Sequence, residues 1–260
     1  MKPKKTRNKK PKVIVFSGYG LNCEEETKFA FEKAGGVAEI VHLNDIIAKP
    51  KILEEYDILA FPGGFSYGDD TGSGKAYANK IKNHLREELD KFLSRDTLTI
   101  GICNGFQIMT NLGILPGSLF YNKNGKYIDR WVDLKAVGRS PWTAGIKNIS
   151  LPIAHSEGRY IIDPKEYRMM QKKKQIAFVY QKGEICKFQN LEANPNGADH
   201  DIAGVFGYGG RVLGMMPHPE RAMFSHHSPL WQQNKKKLPK NGEGAGILLF
   251  KNAINYFKKK

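Results

Sequence analysis

Cys103 stands in Gly101-Ile102-Cys103-Asn104-Gly105-Phe106-Gln107, where the apolar, β-prone run 98–102 stops and a helical pattern begins. A thiol at such a strand-to-helix turn is carried outward on a sharp bend, and small neighbours let a substrate come close. The N-terminus of the following helix favours negative charge and hence the thiolate, the nucleophilic form. Free cysteines more often serve as small buried hydrophobes. Glycines two residues to either side of Cys103 serve tight turning and close approach rather than packing, so the chemistry indicated is nucleophilic catalysis.

Such a nucleophile needs a base to take its proton and return it to a leaving amine. His218 and Glu220, 115 residues downstream (218 − 103), lie in Met216-Pro217-His218-Pro219-Glu220. The two prolines restrict the backbone and can set a turn in which Glu220 holds the imidazole tautomer and stabilises its charged form. Alone, this would read as a surface turn with an incidental pair. The loop Pro62-Gly63-Gly64-Phe65-Ser66-Tyr67-Gly68-Asp69 follows a third apolar run, and its backbone N–H groups could stabilise a tetrahedral oxyanion. It is no phosphate loop: the glycine required five before Gly74 is Asp69, Lys75 is followed by Ala76, and Asp69 and Asp70 would repel phosphate. His155-Ser156-Glu157-Gly158-Arg159 could line a substrate pocket or dock a partner, or be a satisfied polar turn. His226, His227 and the other histidines lack metal-ligand spacing, so no metal is expected. Cys23 also precedes a helix, but Glu24, Glu25 and Glu26 follow it and would repel a thiolate. Cys186 is expected to be structural, in an alternating strand.

These residues need elements to place them. Runs 13–16, 38–43, 57–61 and 98–102 read as buried strands. Residues 24–34 read as a helix with Thr27, Phe29, Ala30, Phe31 and Ala34 on its apolar face. Ala78, Ile81, Leu85, Leu89, Phe92 and Leu93 recur at helical steps, and a further helix runs from Cys103 to 111–113. Strands alternating with helices give parallel βαβ units in an open sheet. Ligands then bind beyond the carboxyl ends of the strands, where Gly18, Gly63, Gly64 and Cys103 all fall. From Arg130 onward shorter runs (131–137, 146–154, 175–180, 202–206 and 212–216) indicate mixed or antiparallel strands. Residues 225–241 read as an exposed basic loop, and 245–257 as a closing helix burying Ile247, Leu248, Ile254 and Phe257.

Length and charge narrow the class. The 260 residues, 40% of them hydrophobic and with 27 glycines, fit one globular α/β domain over 12–260 behind a basic tail, 1–11. Three widely spaced cysteines argue against a disulfide framework and for a reducing cytosol. No apolar run approaches a membrane span. Of the 41 Lys and Arg, seven lie in 1–12 without an acid, and the net charge is +15. Short basic runs at termini and in polar stretches are solvated surface, and no nucleic-acid motif accompanies them.

The Cys103 and His218-Glu220 motifs together resemble class I, triad-type glutamine amidotransferases. Five stretches in order narrow this further: Ser17-Gly18-Tyr19-Gly20-Leu21-Asn22-Cys23-Glu24, the 62–69 loop, His155 to Arg159, Asn194-Pro195-Asn196-Gly197, and Gly214-Met215-Met216-Pro217-His218-Pro219-Glu220-Arg221. They are similar to the glutaminase subunits of phosphoribosylformylglycinamidine synthase, over about residues 12–221. The resemblance implies a flavodoxin-like sheet and Cys103 attacking glutamine to give a γ-glutamyl thioester and ammonia. It implies His218 as base and acid, Glu220 orienting it, Gly64 and Asn104 forming the oxyanion hole, and Gln107 holding the substrate. It implies a large synthetase subunit that uses ATP and Mg to make formylglycinamidine ribonucleotide, a small bridging subunit, and a cytoplasmic setting in purine biosynthesis. The 1–10 tail and the 225–241 segment are longer and more basic than the family pattern needs. The rival readings are a stand-alone Cys-His hydrolase of γ-glutamyl or peptide bonds on the same fold, and a non-catalytic basic binding module.

Overall fold

A computed structural model of the chain describes residues 10–69, 72–237 and 239–258. Most of the basic tail (residues 1–9), with Asp70 and the last two lysines of the C-terminal run, lies outside them. The strand β1 (Lys12–Ser17) leads to helix α1 (Glu24–Lys33), β2 (Val37–His42), α2 (Leu43–Ala48), β3 (Ile58–Phe61), α3 (Lys75–His84), α4 (Arg86–Ser94), β4 (Leu98–Ile102) and α5 (Asn104–Asn111). After these come β5 (Ser118–Phe120), β6 (Ile128–Ala136), β7 (Asn148–His155), β8 (Arg159–Ile161), α6 (Pro164–Lys172), β9 (Ile176–Gln181), α7 (Glu184–Gln189), β10 (Ile202–Gly207), β11 (Val212–Met215) and α8 (Ile247–Lys258).

Among the described residues, nine strands form one sheet in the order β2-β1-β3-β4-β11-β10-β9-β6-β7, and β5 pairs with β8 apart from it. The five from β2 to β11 are parallel. Their sequences are almost continuously apolar, as strands covered on both faces must be: every residue of β3, β4 and β11 is buried. Helices α1 and α8 pack together on one face, with Phe31 edge-on to Phe250 at 4.9 Å, while α3, α4 and α5 pack together on the other. The remaining strands are antiparallel. Four reversals from β11 bring β7 back to the direction of β4, so the carboxyl end of β7 at His155 shares the rim that carries Cys103. Although β7 is four places from β11 in the order, His218 N–H, just past β11, donates to Pro152 O on β7 at 2.8 Å. The antiparallel half therefore curls back toward the parallel half, closing one side of the rim.

Several expectations need correction. The apolar steps through 78–93 span two helices, because Leu85 leaves helical geometry (φ −137°, ψ 1°). Cys186 lies in the short helix α7, not a strand, with its N–H on Asp133 Oδ2 at 2.9 Å. Phe29 of α1 and Leu248 of α8 are exposed, and Leu249 and Phe250 take the buried place expected of Leu248. Pro11, assigned to the tail, accepts Val37 N–H at 2.9 Å and so continues the edge pairing. Within 225–241 the described chain makes 3₁₀ turns at Ser225–His227 and Lys235–Lys237, joined by further turns, with Asn234 N–H on Leu230 O at 2.9 Å.

Candidate active site

Cys103 occupies the turn between β4 and α5 with φ 50° and ψ −106°, a left-handed conformation that costs a non-glycine residue on the order of 1–3 kcal/mol. The surroundings impose it. Cys103 N–H donates to Met215 O at 2.8 Å, pinning the turn to the end of β11. Its flanking glycines are required by close packing. A Cβ at Gly105 would lie 2.0 Å from Phe61 O, and one at Gly101 would lie 2.3 Å from Met109 Sδ. The helix thus sits hard against the strands, and Cys103 Sγ lies 3.7 Å from Ala154 O near the end of β7, with the residue 5% exposed.

His218 and Glu220 are brought together by the proline-bounded turn after β11. His218 Nδ1 donates to Glu220 Oε1 at 2.5 Å, and the residues are 1% and 3% exposed. Nε2, the other ring nitrogen, is buried with no hydrogen-bond partner of its own. Burial pulls the imidazole down, but the Glu220 carboxylate and the Cys103 charge outweigh it and hold His218 well above its ordinary value. His155 behaves oppositely: burial, reinforced by the nearby His218, pushes it down to about 3.

Gly64 adopts φ 148°, and a Cβ there would lie 2.7 Å from Asn22 N, Gly20 O and Leu21 Cα, so only glycine fits. Phe65 N–H on Gly20 O at 2.9 Å and Cys23 N–H on Gly63 O at 3.2 Å hold the loop against the turn after β1. Asn104 opens α5 at the positive end of the helix. Its Oδ1 accepts Ser66 N–H at 3.2 Å and its Nδ2 donates to Gln107 Oε1 at 2.7 Å. Its side chain is therefore a strut between the Gly64 loop and α5, the two expected sources of oxyanion donors. Gln107, expected at the substrate, is engaged here by Asn104 and by Glu157 O, to which its Nε2 donates at 2.6 Å. Glu157 in turn accepts Ser73 N–H at 3.3 Å. The His155–Arg159 turn is thereby tied to α5, the helix that follows Cys103.

Three participants carried no assigned role in the sequence. Asn122 Nδ2 donates to Lys126 O and His155 O, which leaves its Oδ1 to accept from His155 Nδ1 at 3.0 Å and Gly158 N–H at 3.1 Å. Tyr127 lies at the rim with Phe65, ring centroids 6.3 Å apart; burial and the charge of Cys103 raise its phenol. Arg221 Nη2 donates to Cys23 Sγ at 2.9 Å. Cys23, set aside for its acidic neighbours, lies beside His218 and Glu220. Burial pushes its thiol up, against the pull of His218 and Arg221, and Glu220 is the carboxylate that adds to the rise. Only Arg221 had a signal, its place directly after Glu220.

Comparison with known proteins agrees with this geometry. The CobB/CobQ-like glutamine amidotransferase domain family matches residues 10–257. A phosphoribosylformylglycinamidine synthase subunit PurQ from Methanococcus maripaludis is 47% identical over 268 residues, covering 96% of this chain and 98% of the relative. The PurQ of Dehalococcoides mccartyi is 38% identical over 257 residues, with 95% and 98% covered. A chain of the solved PurLQS structure from Thermotoga maritima superposes with a TM-score of 0.73 at 32% identity, covering 95% of this chain and 99% of that one. The chain belongs to the PurQ family, the glutamine amidotransferase subunits of phosphoribosylformylglycinamidine synthase.

Proposed function

We propose that this chain hydrolyses glutamine to glutamate and ammonia for phosphoribosylformylglycinamidine synthase, with Cys103, His218 and Glu220 as the catalytic groups. Cys103 Sγ attacks the side-chain amide carbon. The developing oxyanion is met by N–H groups of Gly64 and Asn104, each such donor contributing about 10²–10³ in rate. His218, holding the proton given up by the thiol, returns it to the departing ammonia, and Glu220 keeps Nδ1–H in place so that Nε2 faces the reacting atoms. A γ-glutamyl thioester remains. Water, deprotonated by the now neutral imidazole, attacks it and releases glutamate and the thiol. Gln107 holds the substrate through the spare lone pair of its amide oxygen.

The observation that carries this reading is the strained Cys103 turn at the rim that also carries the buried His218–Glu220 pair. The sequence has no phosphate loop, so ATP and Mg²⁺ are assigned to a larger synthetase subunit that consumes the ammonia, with a small bridging subunit. The PurLQS likeness supports partner subunits. A cytoplasmic setting fits three free cysteines. No described helix is long and apolar enough to cross a membrane.

The test is glutamate formation by the chain alone and with the synthetase subunit, formylglycinamide ribonucleotide and ATP. The expected result is a low solo rate that rises at least about tenfold in the complex, because ammonia released without an acceptor is wasted. Equal rates would favour the stand-alone hydrolase. No glutamate in either case would overturn the proposal.

A further inference from the structure

Cys23, His218 and Glu220 form a buried cluster in which one sulfur, one imidazole nitrogen and one carboxylate oxygen all lie within 4.8 Å of one another. Nothing in the linear sequence signals it, since 195 residues (218 − 23) separate the thiol from the imidazole. Gly63 identifies the edge of the ring that faces the sulfur. A Cβ at Gly63 would lie 2.8 Å from His218 Cε1, 3.1 Å from Cys23 Sγ and 3.4 Å from His218 Nδ1, so the sulfur and the Cε1–Nδ1 edge of the ring border the same small space. Glu220 Oε1 occupies Nδ1, while Oε2 is buried without a hydrogen-bond partner. A thiolate, an imidazole and a carboxylate are the donor set of zinc, which binds them at about 2.3, 2.0 and 2.0–2.2 Å and leaves a fourth position for water in three-ligand sites.

We propose that Cys23, His218 and Glu220 form an inhibitory site for a thiophilic divalent cation such as Zn²⁺ or Cd²⁺. The cation takes Cys23 Sγ as the thiolate, the Nδ1 lone pair and one Glu220 oxygen. The protons of the thiol and of Nδ1 pass to water, and no electron is transferred. A ring bound through Nδ1 keeps its remaining proton on Nε2. Its Nε2–H is then a weaker acid than that of the imidazolium, and the ring has no lone pair with which to deprotonate the water that attacks the thioester, so glutamine hydrolysis stops. The site thus acts on the base and leaves the nucleophile unliganded.

Arg221 competes with the cation. Its Nη2 donates to Cys23 Sγ at 2.9 Å, while its Nε lies 3.8 Å from Glu26 Oε1 and its side chain is partly exposed. A cation entering the cluster displaces the guanidinium toward Glu26.

The binding test uses the full chain as Cys103→Ala, so that it does not depend on catalysis, and reads the ultraviolet thiolate-to-cadmium charge-transfer band during titration with Cd²⁺. One equivalent should bind with the band, and Cys103→Ala with Cys23→Ser should bind about 100-fold more weakly. Arg221→Met in the Cys103→Ala chain should bind several-fold more tightly, and this second variant keeps the test decisive if the Cys23 variant does not fold. Loss of the band in Cys103→Ala alone, an undiminished band without Cys23, or unchanged affinity in Arg221→Met would each overturn the site. In the catalytically competent complex, Zn²⁺ should inhibit glutamate formation, and Cys23→Ser should need about 100-fold more Zn²⁺, measured against its own metal-free rate. Equal sensitivity would place the cation on Cys103 and His218 instead and refute the proposal.

Discussion

Two crossovers of the sheet deliver a cysteine to one imidazole, and they do so in opposite ways. The crossover after β4 carries Cys103 on a left-handed residue, with glycines two before and two after it packed into strand and helix. The crossover after β1 carries Cys23 with φ −107° and ψ 19°, fully buried, its N–H on Gly63 O and its sulfur held by Arg221. Both thiols precede a helix, so the helix N-terminus does not distinguish them. Three carboxylates follow Cys23, and Asn104 and Gly105 follow Cys103. The difference lies in the backbone: Cys103 sits in a strained turn packed between strand and helix, while Cys23 sits in a relaxed loop with its sulfur on Arg221. On the proposed reading, the backbone around each thiol is what separates nucleophile from bystander.

Removing each thiol gives the widest separation. Cys103→Ala should lose at least about 10⁴-fold in glutamine hydrolysis, the scale seen when a nucleophile is deleted. Cys23→Ala should fall by less than about tenfold, since its sulfur is held by Arg221 and has no part in the proposed chemistry. Initial rates of glutamate release, with folding checked by circular dichroism, decide the matter. Losses of similar size would erase the distinction between the crossovers.

Glu220→Gln comes next. The amide preserves shape but removes the charge that holds His218 up, and the expected fall in kcat is about 10²–10⁴-fold. The pH dependence has a definite sign. A histidine whose folded-state value is raised adds stability that is complete below the unfolded value near 6.5. That stability is lost as pH rises through the folded value. In Glu220→Gln the loss should begin at lower pH, and urea midpoints measured from pH 6 to 10 would show it. An unchanged profile would mean that Cys103 alone sustains the imidazolium. His155 offers an internal contrast: with its imidazole near 3, it opposes folding only as acid is added below about 6.5, so the two histidines act on opposite limbs of the profile.

What the sequence disclosed follows from how local each signal is. Cys103 was legible because strand, glycines and helix lie within ten residues. The parallel strands were legible because both their faces are covered, and His218 with Glu220 because prolines bound them. The break at Leu85 was not, since apolar steps of three and four continue across it. Cys186 was misplaced because the six residues Glu184–Gln189, with Ile185, Cys186 and Phe188 apolar, are too few for periodicity to separate a strand from a short helix. Phe29 and Leu248 are on the exposed side, a choice made by neighbouring elements and not by periodicity. The largest omission, Cys23 beside His218, depends on β1 lying between β2 and β3 and on the loop at Gly63, neither of which local pattern contains.

The smallest expected effect tests the packing argument directly, at matched positions two residues after each cysteine. Gly105 meets Phe61 O with no room for a methyl group, whereas Glu25 is an exposed residue of α1. Gly105→Ala must therefore move α5 away from β3 or distort the Cys103 turn, a cost of about 3 kcal/mol by analogy with overpacked cores. For a chain of this size that lowers the melting temperature by roughly 6–10 °C. Glu25→Ala should stay within about 0.5 kcal/mol. If helix and strand relax apart in Gly105→Ala, the turn loses the compression that sustains φ 50°, and alkylation of Cys103 should slow toward the rate of Cys23. A variant that melts normally and keeps fast, glutamine-protected labelling of Cys103 would show that the turn holds its shape without that contact, and the backbone explanation of the two thiols would have to be abandoned.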